Sequence, residues 1–134
     1  TENHTERRLL DQMQFSNTLL EVSPAPIFYK NKDGKYLGCN AAFEKFVGIK
    51  RDKLVGKTVF DISPRNIAEE YFKKDQELFE NPGVQIYDWK VARSDGAIRD
   101  VIFHKATYAD KKGNVAGLIG TISDVTDLRK KSGV

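Results

Sequence analysis

A chain of 134 residues with 40% apolar and 31% charged side chains has the composition of one folded domain rather than of a disordered segment. The net charge is only +3, with Lys and Arg interleaved among Asp and Glu, so no basic face argues for nucleic acid. No apolar run reaches the roughly 18 residues of a membrane span, and no signal peptide is visible. The lone cysteine, Cys39, cannot close an internal disulfide, which points to a reducing compartment and a cytoplasmic location. The chain opens on Thr1 and stops inside a helical pattern, so a piece of a larger protein is expected, one whose other parts are free to be membrane-attached.

Residues 5–22 carry helix-spaced apolar side chains on two faces. Leu9, Met13 and Leu20 form one; Phe15, Leu19 and Val22 form a roughly opposite one. Such a helix needs two covers, its own domain and a partner chain. Ser23-Pro24-Ala25-Pro26 ends it, because proline disfavours α geometry in the residue before it. Ile27-Phe28-Tyr29-Lys30 and Lys35-Tyr36-Leu37-Gly38-Cys39, separated by Asn31-Lys32-Asp33-Gly34, read as two strands and a hairpin turn. Asn40 can cap a helix over 41–47 that Gly48 can end. Residues 51–62 hold a short turn and an irregular stretch.

Ser63-Pro64 then reads as an N-cap and a first helical residue. Ile67, Tyr71 and Leu78 share one face of that helix, with Ala68, Phe72 and Phe79 beside it. Glu69–Lys73 and Glu70–Lys74 are i,i+4 pairs in the favourable order. Asn81-Pro82-Gly83 stops it. Strands over 84–93 and 97–108 meet at Ser94-Asp95-Gly96, and Asp110-Lys111-Lys112-Gly113 makes a further turn.

The stretch 113–126 is apolar, β-branched and broken by small residues, the pattern of a strand buried on both faces. Gly117 and Gly120 would admit a neighbouring backbone or a ligand. Its end, Asp124-Val125-Thr126, leads into Asp127-Leu128-Arg129-Lys130-Lys131, a helix leaving the domain. An oxygen of Asp124 or Thr126 can accept from that helix's first free N–H groups. Strands joined by hairpins and covered by the central helices make an α+β fold.

Several of these strings, taken in order, resemble a PAS domain. They are Pro26-Ile27-Phe28, Asp33-Gly34-Lys35, Asn40-Ala41-Ala42-Phe43, Leu54-Val55-Gly56-Lys57, Ser94-Asp95-Gly96, and Gly117-Leu118-Ile119-Gly120 running to Asp124-Val125-Thr126. The resemblance covers about 24–128. It implies a five-stranded antiparallel sheet in the order 2-1-5-4-3, helices on one face, and flanking N- and C-terminal helices. Residues 1–23 then form a linker or dimerisation helix, 24–126 the sensory domain, and 127–134 the start of a signalling helix. One departure is that Lys50 and Arg51 stand where the family often has a capping Ser or Thr.

The family implies a sensory module of bacterial signalling proteins, not itself an enzyme. It would bind a small ligand or dimerise through its flanking helices. It would relay a change to a covalently linked output domain, a histidine kinase or diguanylate cyclase, outside these residues. The alternative is a dimerisation or interaction module without a ligand; a small enzyme with His104 as general base is a third reading. Haem is disfavoured, since residues 64–80 hold no His and the chain has only His4 and His104. A photoactive flavin–Cys adduct is disfavoured because Cys39 precedes Asn40, the reverse of the photosensing order. A colourless small molecule, or none, is left. The candidate pocket residues are Tyr71, Trp89 and His104, and Asp124 and Thr126 are the candidate relay. No metal-ligand spacing and no catalytic set is present.

Overall fold

The computed structural model describes residues 4–131. Positions 1–3 of the leading segment, 132–134 of the exit segment and the side chain of Leu9 lie outside the described residues. The chain runs α1 (His4–Val22), β1 (Ile27–Asn31), β2 (Tyr36–Cys39), α2 (Ala41–Val47), α3 (Arg51–Leu54), α4 (Val59–Ile62), α5 (Arg65–Glu80), β3 (Val84–Ala92), β4 (Ile98–Ala109), β5 (Val115–Asp124) and α6 (Thr126–Lys131). No helix among the described residues is long and apolar enough to cross a membrane.

The five strands form one antiparallel sheet in the order β2-β1-β5-β4-β3. Period-2 alternation decides which side chains face the helices. Phe28 and Lys30 of β1, Val101, Phe103 and Lys105 of β4, and Leu118 and Ile122 of β5 are all buried. The strand expected to be covered on both faces is central but covered on one. Ile119 is exposed on the far side, as are Ile86 and Ile98 on the neighbouring strands, because the domain helices lie only on the inner side. Gly117 serves the close approach of backbone: a Cβ there would stand 2.0 Å from the Lys30 carbonyl oxygen.

The helical cover starts at Asn40, which no solvent reaches. Its Oδ1 accepts from the N–H groups of Phe43 (3.0 Å) and Ile27 (2.9 Å), and its Nδ2 donates to the carbonyls of Leu20 (2.9 Å) and Ala25 (3.0 Å). One amide thus caps α2 and ties it to β1 and to the end of α1. Gly48 closes α2 at φ 78°, in the left-handed region. The missing Ser or Thr cap of α3 is replaced from a distance. Glu44 on α2 accepts the Arg51 N–H at 2.7 Å, and that bond holds its carboxyl below the usual range. Thr58 and Asp61 form a capping box that makes α4 a regular turn.

Three local expectations are corrected. Ser63 does not cap α5; it is the C-terminal cap of α4, donating to Val59, and Pro64 takes the N-cap position. Among the described residues the ion pairs formed within α5 are Arg65–Glu69 and Lys74–Glu77, not Glu69–Lys73 and Glu70–Lys74. Among the described residues of α1, Leu10, Met13, Phe15 and Leu19 are exposed rather than covered by the domain, Leu20 is half-buried, and the last turn is tied down through Leu20–Asn40 and a Glu21–Arg51 pair at 2.7 Å.

Replacing Asn40 by Ala strands the N–H groups of Phe43 and Ile27 and the Leu20 carbonyl, and leaves the Ala25 carbonyl with only a long bond from the Ser23 hydroxyl at 3.3 Å. Each buried group left unpaired costs about 1–3 kcal/mol, with incomplete additivity. Asn40→Ala should therefore lower stability by about 3 kcal/mol in urea unfolding; a loss under about 1 kcal/mol would contradict the role assigned to this amide.

Candidate functional site

Between the inner face of the sheet and α2, α4 and α5 lies a cavity of about 270 Å³. Alternation along β4 aims Phe103 and Lys105 into it, and alternation along β1 aims Phe28 and Lys30. Gly120 of β5 is in register with both Phe28 and Lys105. A Cβ on it would meet the Phe28 ring at 2.4 Å, so the absent side chain is what gives that ring its seat. Phe43 of α2 stands 5.3 Å from Phe28, and Tyr71 of α5 stands 5.9 Å from Phe103 (ring centroids).

The electrostatic centre of the site is a buried triad. On α5 the inward positions are Ala68, Tyr71, Asp75 and Leu78, a helical spacing of three, four and three. Asp75 therefore points at the sheet. Its Oδ2 accepts from Lys30 Nζ and its Oδ1 from Lys105 Nζ, both at 2.8 Å. Lys30 and Lys105 are each 3% exposed and Asp75 is 4% exposed. Aromatic faces complete the cationic environment: Lys30 Nζ is 4.7 Å from the Tyr36 ring centre and Lys105 Nζ is 4.9 Å from that of Tyr87.

Burial pushes the Asp75 carboxyl up, but the two ammonium groups outweigh it and hold it below the usual range. The lysines diverge. Burial lowers both, yet for Lys30 the neighbouring Tyr36 and Asp75 prevail and raise it, while for Lys105 burial and the Lys30 charge leave it lowered. Tyr71, mostly buried, has its hydroxyl pushed up to about 12 by burial, so it stays a neutral donor.

Of the candidate pocket residues, Tyr71 lines the cavity. Trp89 stands behind it, 6.1 Å from Tyr71 and 5.7 Å from Tyr87, as packing for the wall. His104 does not reach the cavity. It is exposed on the outer face of β4, because Phe103 and Lys105 on either side of it point inward. The sequence reading missed Lys30, Tyr36, Asp75 and Lys105.

The exit from β5 is held by side chains. Asp124 Oδ1 accepts the Thr126 N–H at 3.1 Å, which caps α6, and its Oδ2 accepts from Arg99 Nε at 2.7 Å. Burial raises the Asp124 carboxyl, but these bonds outweigh it and hold it below the usual range. The Thr126 hydroxyl does not cap the helix. It turns back to β4, where it accepts the Asp100 N–H at 2.7 Å, and the Val125 N–H donates to the Asp100 carbonyl at 2.9 Å. Arg129 pairs with Asp88 of β3.

Breaking a buried ion pair by removing one partner costs about 3–5 kcal/mol, whereas replacing the whole set by apolar residues is often neutral or stabilising. Asp75→Ala should lose about 3–5 kcal/mol in urea unfolding, and the triple change Lys30→Met, Asp75→Leu, Lys105→Met should recover most of it. Because the folded carboxyl titrates below its unfolded value, its contribution is whole above about pH 4 and is lost as pH falls through the folded value. Asp75→Asn should remove that part of the acid limb. A triple variant no more stable than Asp75→Ala would contradict this account.

A family model describing the PAS fold matches residues 20–130. The aerobic respiration control sensor protein ArcB of Escherichia coli is 28% identical over 119 residues, which cover 89% of this chain and 15% of ArcB. A diguanylate cyclase of Vibrio cholerae is 30% identical over 129 residues, covering 90% of this chain and 39% of the cyclase. The chain thus spans a minor part of these relatives. Among solved structures, the PAS domain of Bordetella pertussis BvgS superposes with a TM-score of 0.75 at 27% identity, covering 92% of this chain and 95% of that one. With its sheet order, its helices on one face and a family match over most of its length, the chain belongs to the PAS-fold family.

Proposed function

We propose that this domain is the sensory part of a larger signalling protein, in which occupancy of the cavity is passed to an output domain through α6. The observation that carries this reading is one cross-strand pair. Phe103 and Ile122 are registered partners that both line the cavity. Three residues before Phe103 lies Asp100, and two residues after Ile122 lies Asp124, the two residues that grip the start of α6. A ligand that moves the pair moves both anchors of the exit helix. The relatives' names, a respiration control sensor and a diguanylate cyclase, support a domain of this kind coupled to a kinase or cyclase output.

A second reading, a ligand-free dimerisation module, is favoured by α1, whose Leu10, Met13, Phe15 and Leu19 have no cover in their own domain. Pairing with α1 of a second copy would bury them at about 25 cal/mol per Å² of apolar surface. The two readings are compatible if the dimer is the frame against which α6 moves. Native mass spectrometry separates them, a co-purifying small molecule supporting the sensor and an empty dimer the module.

Two outcomes are expected. In the full-length protein, Asp124→Ala with Thr126→Ala should uncouple output from input, while costing the isolated domain only about 1–2 kcal/mol for the lost hydrogen bonds; regulation identical to wild type would overturn the relay. Sedimentation of the domain should show a dimer that Phe15→Glu with Leu19→Glu converts to monomer. A wild-type monomer at about 100 μM, a concentration at which a Kd of about 1 μM would give mostly dimer, would end the dimer claim for this chain.

A further inference from the structure

The triad does not balance. Lys30 and Lys105 bring two positive charges, and Asp75 brings one negative charge. Among the described residues Asp75 is the only carboxylate paired with either ammonium. The lysines line the cavity, Asp75 lies behind them, and the lining contains no acidic residue. The surplus positive charge therefore faces the cavity, at side chains that solvent scarcely reaches. A buried charge without a counter-charge is costly, and an anion at that point would form charge-assisted hydrogen bonds with donors already in place. Each ammonium has three N–H donors and directs one at Asp75.

The rest of the lining sets the body of the ligand. Phe28, Phe43, Phe103 and Tyr71 present rings, and the other polar groups are Tyr36 and Ser63. The volume, about 270 Å³, lies between the roughly 150 Å³ that holds benzene and the roughly 300 Å³ at which drug-sized pockets begin. One ring with a short acidic arm fits that interval.

We propose that the cavity takes a small ring compound bearing a single carboxylate, with its anionic head against Lys30 and Lys105 and its ring among Phe28, Phe43 and Phe103. This deepens the sensor reading and rests on it.

The test is titration calorimetry with phenylacetate and its neutral isostere phenylacetamide. Phenylacetate should bind the wild-type domain at least about tenfold tighter than the amide. Lys105→Met leaves Lys30 and Asp75 as a one-to-one pair, so it removes the surplus charge without stranding an ion. It should weaken phenylacetate about tenfold and change the amide less than about threefold. If circular dichroism shows that variant unfolded, the apolar triple variant takes its place, with the same loss of acid preference expected. An amide bound as tightly as the acid, or an acid preference that survives Lys105→Met, overturns the carboxylate while leaving a sensor of neutral ligands standing. Binding of neither probe up to about 10 mM also overturns it; a molecule co-purifying with the domain in native mass spectrometry would then keep the sensor reading, and an empty cavity would end both.

Discussion

The architecture of the cavity depends on Asp75 bridging two lysines that sit on strands separated by a third. Lys30 is on β1 and Lys105 on β4, with β5 between them. Three ions in the interior are not a source of net stability, since desolvation takes several kcal/mol for each. What the bridge supplies is position. With Asp75 tied to both lysines, α5 cannot slide or roll along the sheet without separating a buried charge from its partner. The half of α5 around Ala68 and Tyr71 is thereby held over the cavity, while Leu78 beyond the bridge packs into the core.

The same strand, β5, serves two purposes through different residues. Gly117 lets the Lys30 backbone approach, which brings the β1 lysine into line with the triad. Gly120 lets the Phe28 ring lie over the strand and form the cavity floor. Ile122 then touches the cavity, and Asp124 caps the exit helix. Within eight residues the strand passes from backbone packing to cavity lining to helix capping. A substitution at Gly117 would act on the lysine strand and one at Gly120 on the cavity floor, so backbone packing and cavity shape are not separable along this strand.

The fold was legible because its turns and caps are local. Asp33-Gly34, Ser94-Asp95-Gly96 and Asn40 announce structure within a few residues, and their order carries the family likeness. Tyr71 was legible from helical spacing. The triad was not, although its signal is present: Lys30 alternates with Phe28, Lys105 with Phe103, and Asp75 falls on the apolar face between Tyr71 and Leu78. A charge in an inward position reads as an exception until its partner is known, and the partners here are 45 and 30 residues apart. The misplacement of His104 has the same root, since choosing it over Lys105 meant choosing the wrong parity of β4. The two-sided cover expected for α1 differs for another reason: its own domain leaves Leu10, Met13, Phe15 and Leu19 exposed, and helical spacing alone does not say which neighbour, if any, meets a given face.

A small cavity limits how strong a switch the proposed sensor can be. Moving a two-state equilibrium from 1:99 to 99:1 takes about 5.5 kcal/mol of differential affinity. Ligands of about ten heavy atoms reach about 15 kcal/mol at most, at the ceiling of about 1.5 kcal/mol per atom that only the smallest and best approach. More than a third of even that ceiling would have to distinguish the two states. Aromatic contacts with Phe28 and Phe43, far from the exit, are available in either state and so contribute affinity without discrimination. The discriminating part has to come from groups coupled to the anchors of α6. On β4, Lys105 and Phe103 share a strand with Asp100, so in the proposed relay a head group that draws on Lys105 would act on that lever directly. Coupling of the ordinary size, about 1–3 kcal/mol, is then the natural scale for the proposed relay, a bias on the exit helix rather than an all-or-none throw.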